Sequence, residues 1–178
     1  MGTTQEAKPL SRNKIRNMAK DFRKKLGIEN DTYVDVIHLL DIDMPKHYKN
    51  FDYEILTEEN MCVYGLATPD SNKIYIREDV YLRAENGVGR DRLTIIHEIF
   101  HFLFHTRQNI RMSENNFARN DNKPITYKDP EWQADAFAGE VLMDSEIIRD
   151  MSINEISRNC GVSFAAAKVQ KNANKKIK

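Results

Sequence analysis

The sequence predicts an α+β fold: a mostly helical single domain, a small antiparallel β-sheet packed on one very apolar helix, and a helix-turn-helix-like C-terminal segment. Three observations predict it. Residues 95–105, IIHEIFHFLFH, set three histidines and a glutamate in a run of isoleucine, leucine and phenylalanine that is long enough for a buried helix. DYEIL, CVYGLAT and KIYIR are β-rich stretches separated by turn residues such as Thr68-Pro69-Asp70 and Ser71-Asn72. NEISRNCGVSFAAAKVQ reads as a helix, a tight turn at Cys160-Gly161, and a second helix capped by Ser163.

The other elements follow in chain order. Ser11 caps a helix whose apolar positions Ile15, Met18, Phe22 and Leu26 form a stripe until Gly27 stops it. TYVDVIHLL, residues 32–40, reads as a second, shorter helix. ENGVGRD, residues 85–91, is a glycine-containing loop leading into the apolar helix. After His105 the chain turns polar and asparagine-rich through RQNIRMSENNFARNDNKPITYKD, and such long excursions in compact domains are functional or mobile. DPEWQADAFAGEVLM then opens a helix with Asp129 as its cap and Pro130 at its first position. In the C-terminal pair, Ile156, Val162 and Val169 are the expected core positions.

The totals narrow the class. With 178 residues, 40% hydrophobic and 30% charged, the chain has the size and balance of one soluble globular domain, large enough to bury a core without disulfides. Its two cysteines, Cys62 and Cys160, lie far apart in no C-x-x-C spacing, which argues against a disulfide framework or cysteine zinc knuckle and for a reducing compartment. No apolar run suggests a signal peptide or membrane span, and Glu6 stands where a myristoylation signal needs Ser or Thr, so a cytoplasmic location is expected. The net charge is zero, but residues 1–26 and 168–178 together carry +11 and the middle carries −11. Neither basic end interleaves aromatics as single-strand binders do, so solvated helix faces are the simpler reading.

The histidines explain the apolar helix. His97 and His101 are four residues apart, so both can point a ring nitrogen at one metal ion, with Glu98 beside them. This H-E-x-x-H spacing is the two-histidine half of a zinc protease site. A glutamate buried without a partner would cost several kcal/mol, of order 2–7 for a polar group; a zinc ion with a bound water gives Glu98 a reason to be there. The alternative is a core helix with two hydrogen-bonded histidines.

A catalytic zinc takes three protein ligands and keeps one position open. The pattern H-E-x-x-H-x-x-G-x-x-H is excluded, because Phe104 and Arg107 occupy its glycine and third-histidine positions. His105 lies two turns beyond His97, roughly 12 Å along a straight helix, and is expected at the helix end as a cap, a rim residue or a hydrogen-bond donor to a ligand. In EWQAD, Glu131 and Asp135 share a helix face. One can complete a His2Glu set while the other accepts the second ring N–H of a liganding histidine; spacing alone does not say which. Ala134, Ala138 and Gly139 let that helix approach its neighbour closely.

IYIREDV, RLTIIHEIFHFLFH and EWQADAFAGEVLM, in this order and spacing, resemble the ImmA/IrrE family of zinc metallopeptidases, over roughly residues 10–170. The resemblance implies a zincin-like domain over residues 1–150 with a C-terminal helical tail, 151–178, packed on it. It maps the metal-binding glutamate onto Glu131, with Asp135 then supporting a ligand. Family members are bacterial or phage-encoded and typically cleave or control a helix-turn-helix repressor. The family pattern has glycine where this chain has Phe100, and proline where it has Asp144; neither departure removes a ligand.

The expected chemistry is therefore zinc-assisted peptide hydrolysis, with Zn2+ held by His97, His101 and Glu131 and with Glu98 as general base. Tyr127, His105 and Arg119 are candidates for oxyanion or rim positions. A substrate strand can add to the sheet at Lys73–Arg77, if that strand is an edge. Two rival readings stand beside this one: a regulatory protein that keeps the metal site but only sequesters a partner, and a DNA-binding regulator using the C-terminal segment.

Overall fold

The computed structural model describes residues 3–68, 72–105, 110–114 and 126–175. The turn at Pro69-Asp70, most of the asparagine-rich excursion with Arg119, and the last lysines of the tail lie outside the described residues. The architecture is α+β and mostly helical, as predicted. Two strands unforeseen in the sequence, β1 (Thr3–Ala7) and β5 (Ile110–Glu114), pair antiparallel from Thr3↔Glu114 to Ala7↔Ile110.

Helix α1 (Arg12–Leu26) starts where expected: the Ser11 hydroxyl accepts from the Lys14 N–H, and Gly27 ends the helix in the left-handed region. The second helix starts later than predicted and runs further. Asp35 caps α2 (Val36–His38) by accepting from the Ile37 and His38 N–H groups. A π-helical turn over Leu39–Asp43 then leads into α3 (Met44–His47). Pro45 lies at the start of that last turn, where its missing N–H and its ring are tolerated better than in a regular helix interior.

Strands β2 (Asp52–Leu56), β3 (Gly65–Thr68) and β4 (Lys73–Arg77) form one sheet in the order β2-β4-β3. The sheet is mixed and not antiparallel throughout: β3 and β4 pair antiparallel, but β2 runs parallel to β4. Lys73–Arg77 is therefore central and offers no free edge. The pattern of burial accounts for this. Ile74 and Ile76 of β4 are buried, whereas DYEIL buries little and tolerates an edge.

Helix α4 (Glu78–Glu85) follows β4 directly, its first-turn acids suiting the helix dipole. The loop expected over residues 85–91 is consequently shorter, because α5 (Gly89–Phe104) already begins at Gly89. Arg83 joins the two helices, donating to Asp79 one turn back and to the buried Asp91 of α5 at 2.9 Å. A 3-10 turn, Thr126–Lys128, leads into α6 (Pro130–Leu142), which the Asp129 carboxylate caps as predicted.

Helices α5 and α6 form the centre. Phe100 meets Phe137 of α6 at a centroid distance of 4.9 Å, and Phe22 of α1 meets Phe137 at 5.5 Å. Phe100 is fully buried there and contributes an aromatic ring to the core where the family pattern has glycine. Asp144 likewise has a local use, accepting from the Glu146 and Ile147 N–H groups to shape the turn after α6.

The C-terminal pair, α7 (Ile153–Cys160) and α8 (Phe164–Lys175), closes one side of this core. Ser152 and Glu155 cap α7 reciprocally, and Ser163 accepts from the Ala166 N–H. Ile156 and Val162 are buried as expected; Val169 is not, being 67% exposed. Its place on the inner face is taken by Ala167 and Gln170, the latter donating to the Met143 carbonyl. Among the described residues no helix is long and apolar enough to cross a membrane.

Candidate metal centre

Two helices supply the site. From α5, His97 and His101 present their Nε2 atoms 2.9 Å apart. From α6, the Glu131 carboxylate reaches within 3.2 Å of His97 Nε2 and 3.6 Å of His101 Nε2. A tetrahedral ion with bonds of about 2.0–2.1 Å needs its ligand atoms about 3.3 Å apart, close to these distances. Helical spacing places the histidines on one face, and the small side chains on α6 bring Glu131 across to them.

Hydrogen bonds behind the two rings fix which nitrogen faces the centre. Gln133, wholly buried, donates from Nε2 to the Lys8 and Tyr127 carbonyls at 2.9 and 2.8 Å. Its amide oxygen must then accept, and it takes the Nε2–H of His105 at 3.0 Å. With its proton on Nε2, neutral His105 has a lone pair on Nδ1, which accepts from His101 Nδ1–H at 2.8 Å. The His101 lone pair is thereby left on Nε2. On His97, Nδ1–H donates to the Asp135 carboxylate at 2.8 Å, and again Nε2 points inward.

Two imidazole lone pairs and a carboxylate thus converge on one point, an arrangement suited to a bound cation. The ionisation behaviour agrees. Burial opposes charge on His97, but Asp135, Glu131 and Glu98 outweigh it and hold its pKa up to about 9. Burial, with the neighbouring His97 and His105, lowers His101 to about 4, so that ring is neutral and ready to ligate. Burial also lowers His105. The hydrogen bond from His97, against desolvation, keeps Glu131 below its ordinary carboxylate value. One proton relieves part of this convergence; a divalent ion bound by all three groups relieves it entirely. The residues fit a metal.

Glu98 lies next to this point and is buried against β3. Its carboxylate accepts from the Ala67 N–H at 2.9 Å, and burial raises its pKa to about 7 against the lowering effects of His97 and that hydrogen bond. Gly65 makes the approach possible: a Cβ there would sit 2.5 Å from Glu98 Cγ. A groove of about 620 Å³ opens beside His97 and Glu98.

The structure brings together His97, Glu98, His101, Glu131 and Asp135. His105 is not a rim residue; it is 4% exposed, turned inward at the end of α5 toward His101 and Gln133. Tyr127 is exposed and its side chain does not line the groove, while its carbonyl serves Gln133. Sequence reasoning missed Gln133, Gly65 and Ala67. Only Gly65 carried a signal, since a glycine inside a strand marks close approach by another segment.

A mostly helical α+β chain with a His2Glu centre and an adjacent buried glutamate has the form of a metallopeptidase. Residues 44–170 match the model of the Peptidase M78 family, the IrrE N-terminal-like domain, and the chain belongs to that family. A search of curated proteins finds no match.

Proposed function

We propose that this protein is a zinc-dependent metalloendopeptidase that cleaves a protein substrate, a helix-turn-helix repressor controlling a mobile element or a stress response. The observation that carries the catalytic reading is the convergence of His97, His101 and Glu131 beside a glutamate held against a strand. A zinc ion held by those three residues supplies a Lewis acid and lowers the pKa of a water. Glu98 takes the proton of the attacking water and passes it to the leaving amine. The Ala67 N–H and the absent side chain at Gly65 hold Glu98 in place for this. Asp135 orients His97, and the Gln133–His105 pair orients His101.

The substrate main chain can meet the sheet at β3, the edge strand that touches Glu98. The repressor as substrate rests on family membership. The test is incubation of zinc-loaded protein with candidate helix-turn-helix repressors from the same genome. Wild type is expected to cut at one site, and Glu98→Gln to bind zinc but leave the repressor intact. Equal cleavage by Glu98→Gln contradicts the role of Glu98; zinc binding with no cleavage by wild type points to sequestration of the repressor instead.

A further inference from the structure

The groove beside Glu98 extends well beyond the chemistry. Its wall continues from His97 and Glu98 along Leu93, Trp132, Ala136 and Met143 to Ala166 and Val169 of α8. At about 620 Å³ it lies within the range of about 300–1,000 Å³ that ligand sites occupy. Arg12 also faces it, but that guanidinium is committed to Glu140 at 2.9 Å and to Gln170 at 2.6 Å. Tyr64, Arg90, Thr94 and Gln170 add polar atoms, but away from the metal centre the wall is mostly apolar.

Two features of α8 need a reason. Val169, on the groove wall, is 67% exposed, on a helix whose inner face is packed through Ala167 and Gln170. The turn before α8 is also held rigidly. Arg92 of α5, fully buried, donates to the Cys160 and Gly161 carbonyls and to the Val34 carbonyl, and it stacks on Tyr33 at 4.1 Å. One helix thus carries the metal-binding histidines and, through Arg92, fixes the position of α8.

We propose that the groove is the specificity pocket of the peptidase, that α8 forms its far wall, and that its occupant is a large apolar side chain of the peptide substrate. This rests on the peptidase reading above. Continuity with Glu98 decides the occupant: a side chain lodged between Trp132 and α8 belongs to a chain whose neighbouring peptide bond reaches the catalytic glutamate. The helix-turn-helix-like segment then serves substrate selection.

Trp132 is the chain's single tryptophan, so its fluorescence reports occupancy without any turnover. Zinc-loaded Glu98→Gln protein is titrated with blocked glycine pentapeptides carrying phenylalanine, leucine, serine or aspartate at the centre. The phenylalanine and leucine peptides are expected to shift Trp132 emission and to bind at least about tenfold more tightly than the serine peptide. Ala166→Phe, which fills the groove, should remove that preference at unchanged zinc content. Val169→Asp, at an exposed position that does not threaten folding, should weaken the apolar peptides selectively. Equal affinity for all four peptides, or a preference untouched by Val169→Asp, overturns the pocket. Cleavage by the wild type separates the two claims. Cutting without apolar preference leaves the peptidase and removes the pocket; preference without cutting leaves the pocket and removes the peptidase.

Discussion

Glu98 is a carboxylate buried beside the candidate metal centre, and this has a measurable cost. Its pKa rises from 4.5 to about 7 on folding, so between those values the folded state binds more protons than the unfolded one. The contribution of Glu98 to the stability of the metal-free protein then falls as pH rises across that window, by about 3 kcal/mol, while His101, lowered to about 4, contributes with the opposite sign. Glu98→Gln removes the effect. The variant should match wild type near pH 4.5 and melt higher than wild type at pH 8, and parallel melting curves at all pH values would contradict the burial cost. His105 acts at the same scale. Replacing it with phenylalanine keeps a ring against Phe100 but frees the His101 tautomer, and zinc affinity should drop about 10–100-fold in a competition titration.

At the scale of elements, the contact between β3 and α5 positions Glu98, the proposed general base. Gly65→Ala should push Glu98 from the Ala67 N–H and lower kcat about 100-fold while zinc content stays the same. A normal kcat would show that the strand does not position Glu98. Helix-borne parts of the site were legible in sequence. Four-residue spacing on α5 and α6 gave His97 with His101 and Glu131 with Asp135, and capping by Ser11, Asp129 and Ser163 marked helix starts from local chemistry. The sheet was not legible in the same way. That β4 is central and β2 parallel to it depends on pairing between distant residues, and KIYIR alone does not disclose its neighbours. His105 was expected at the helix end and is found there, but which of its possible roles it takes was not legible: only its meeting with Gln133, 28 residues further on, turns it inward toward His101.

Across the whole molecule, one continuous core joins the metal helices to the C-terminal pair, with Ile156, Cys160, Val162 and Ala167 packed into the same cluster as Phe100 and Phe137. Gly161 is the joint. Its φ of +63° lies in the left-handed region, and an added Cβ would run into the Arg92 guanidinium. Gly161→Ala should therefore destabilise the protein by about 1–3 kcal/mol, visible as a lower denaturant midpoint. A lost αL glycine could be foreseen from the Cys160-Gly161 turn; the arginine behind it could not. The central claim, that His97, His101 and Glu131 form one metal centre, is tested most directly by metal content. Elemental mass spectrometry of purified wild type beside Glu131→Ala should find about one zinc ion per wild-type chain and a weakened or absent ion in the variant. No bound metal in wild type after zinc is supplied, or equal binding by the variant, would contradict it.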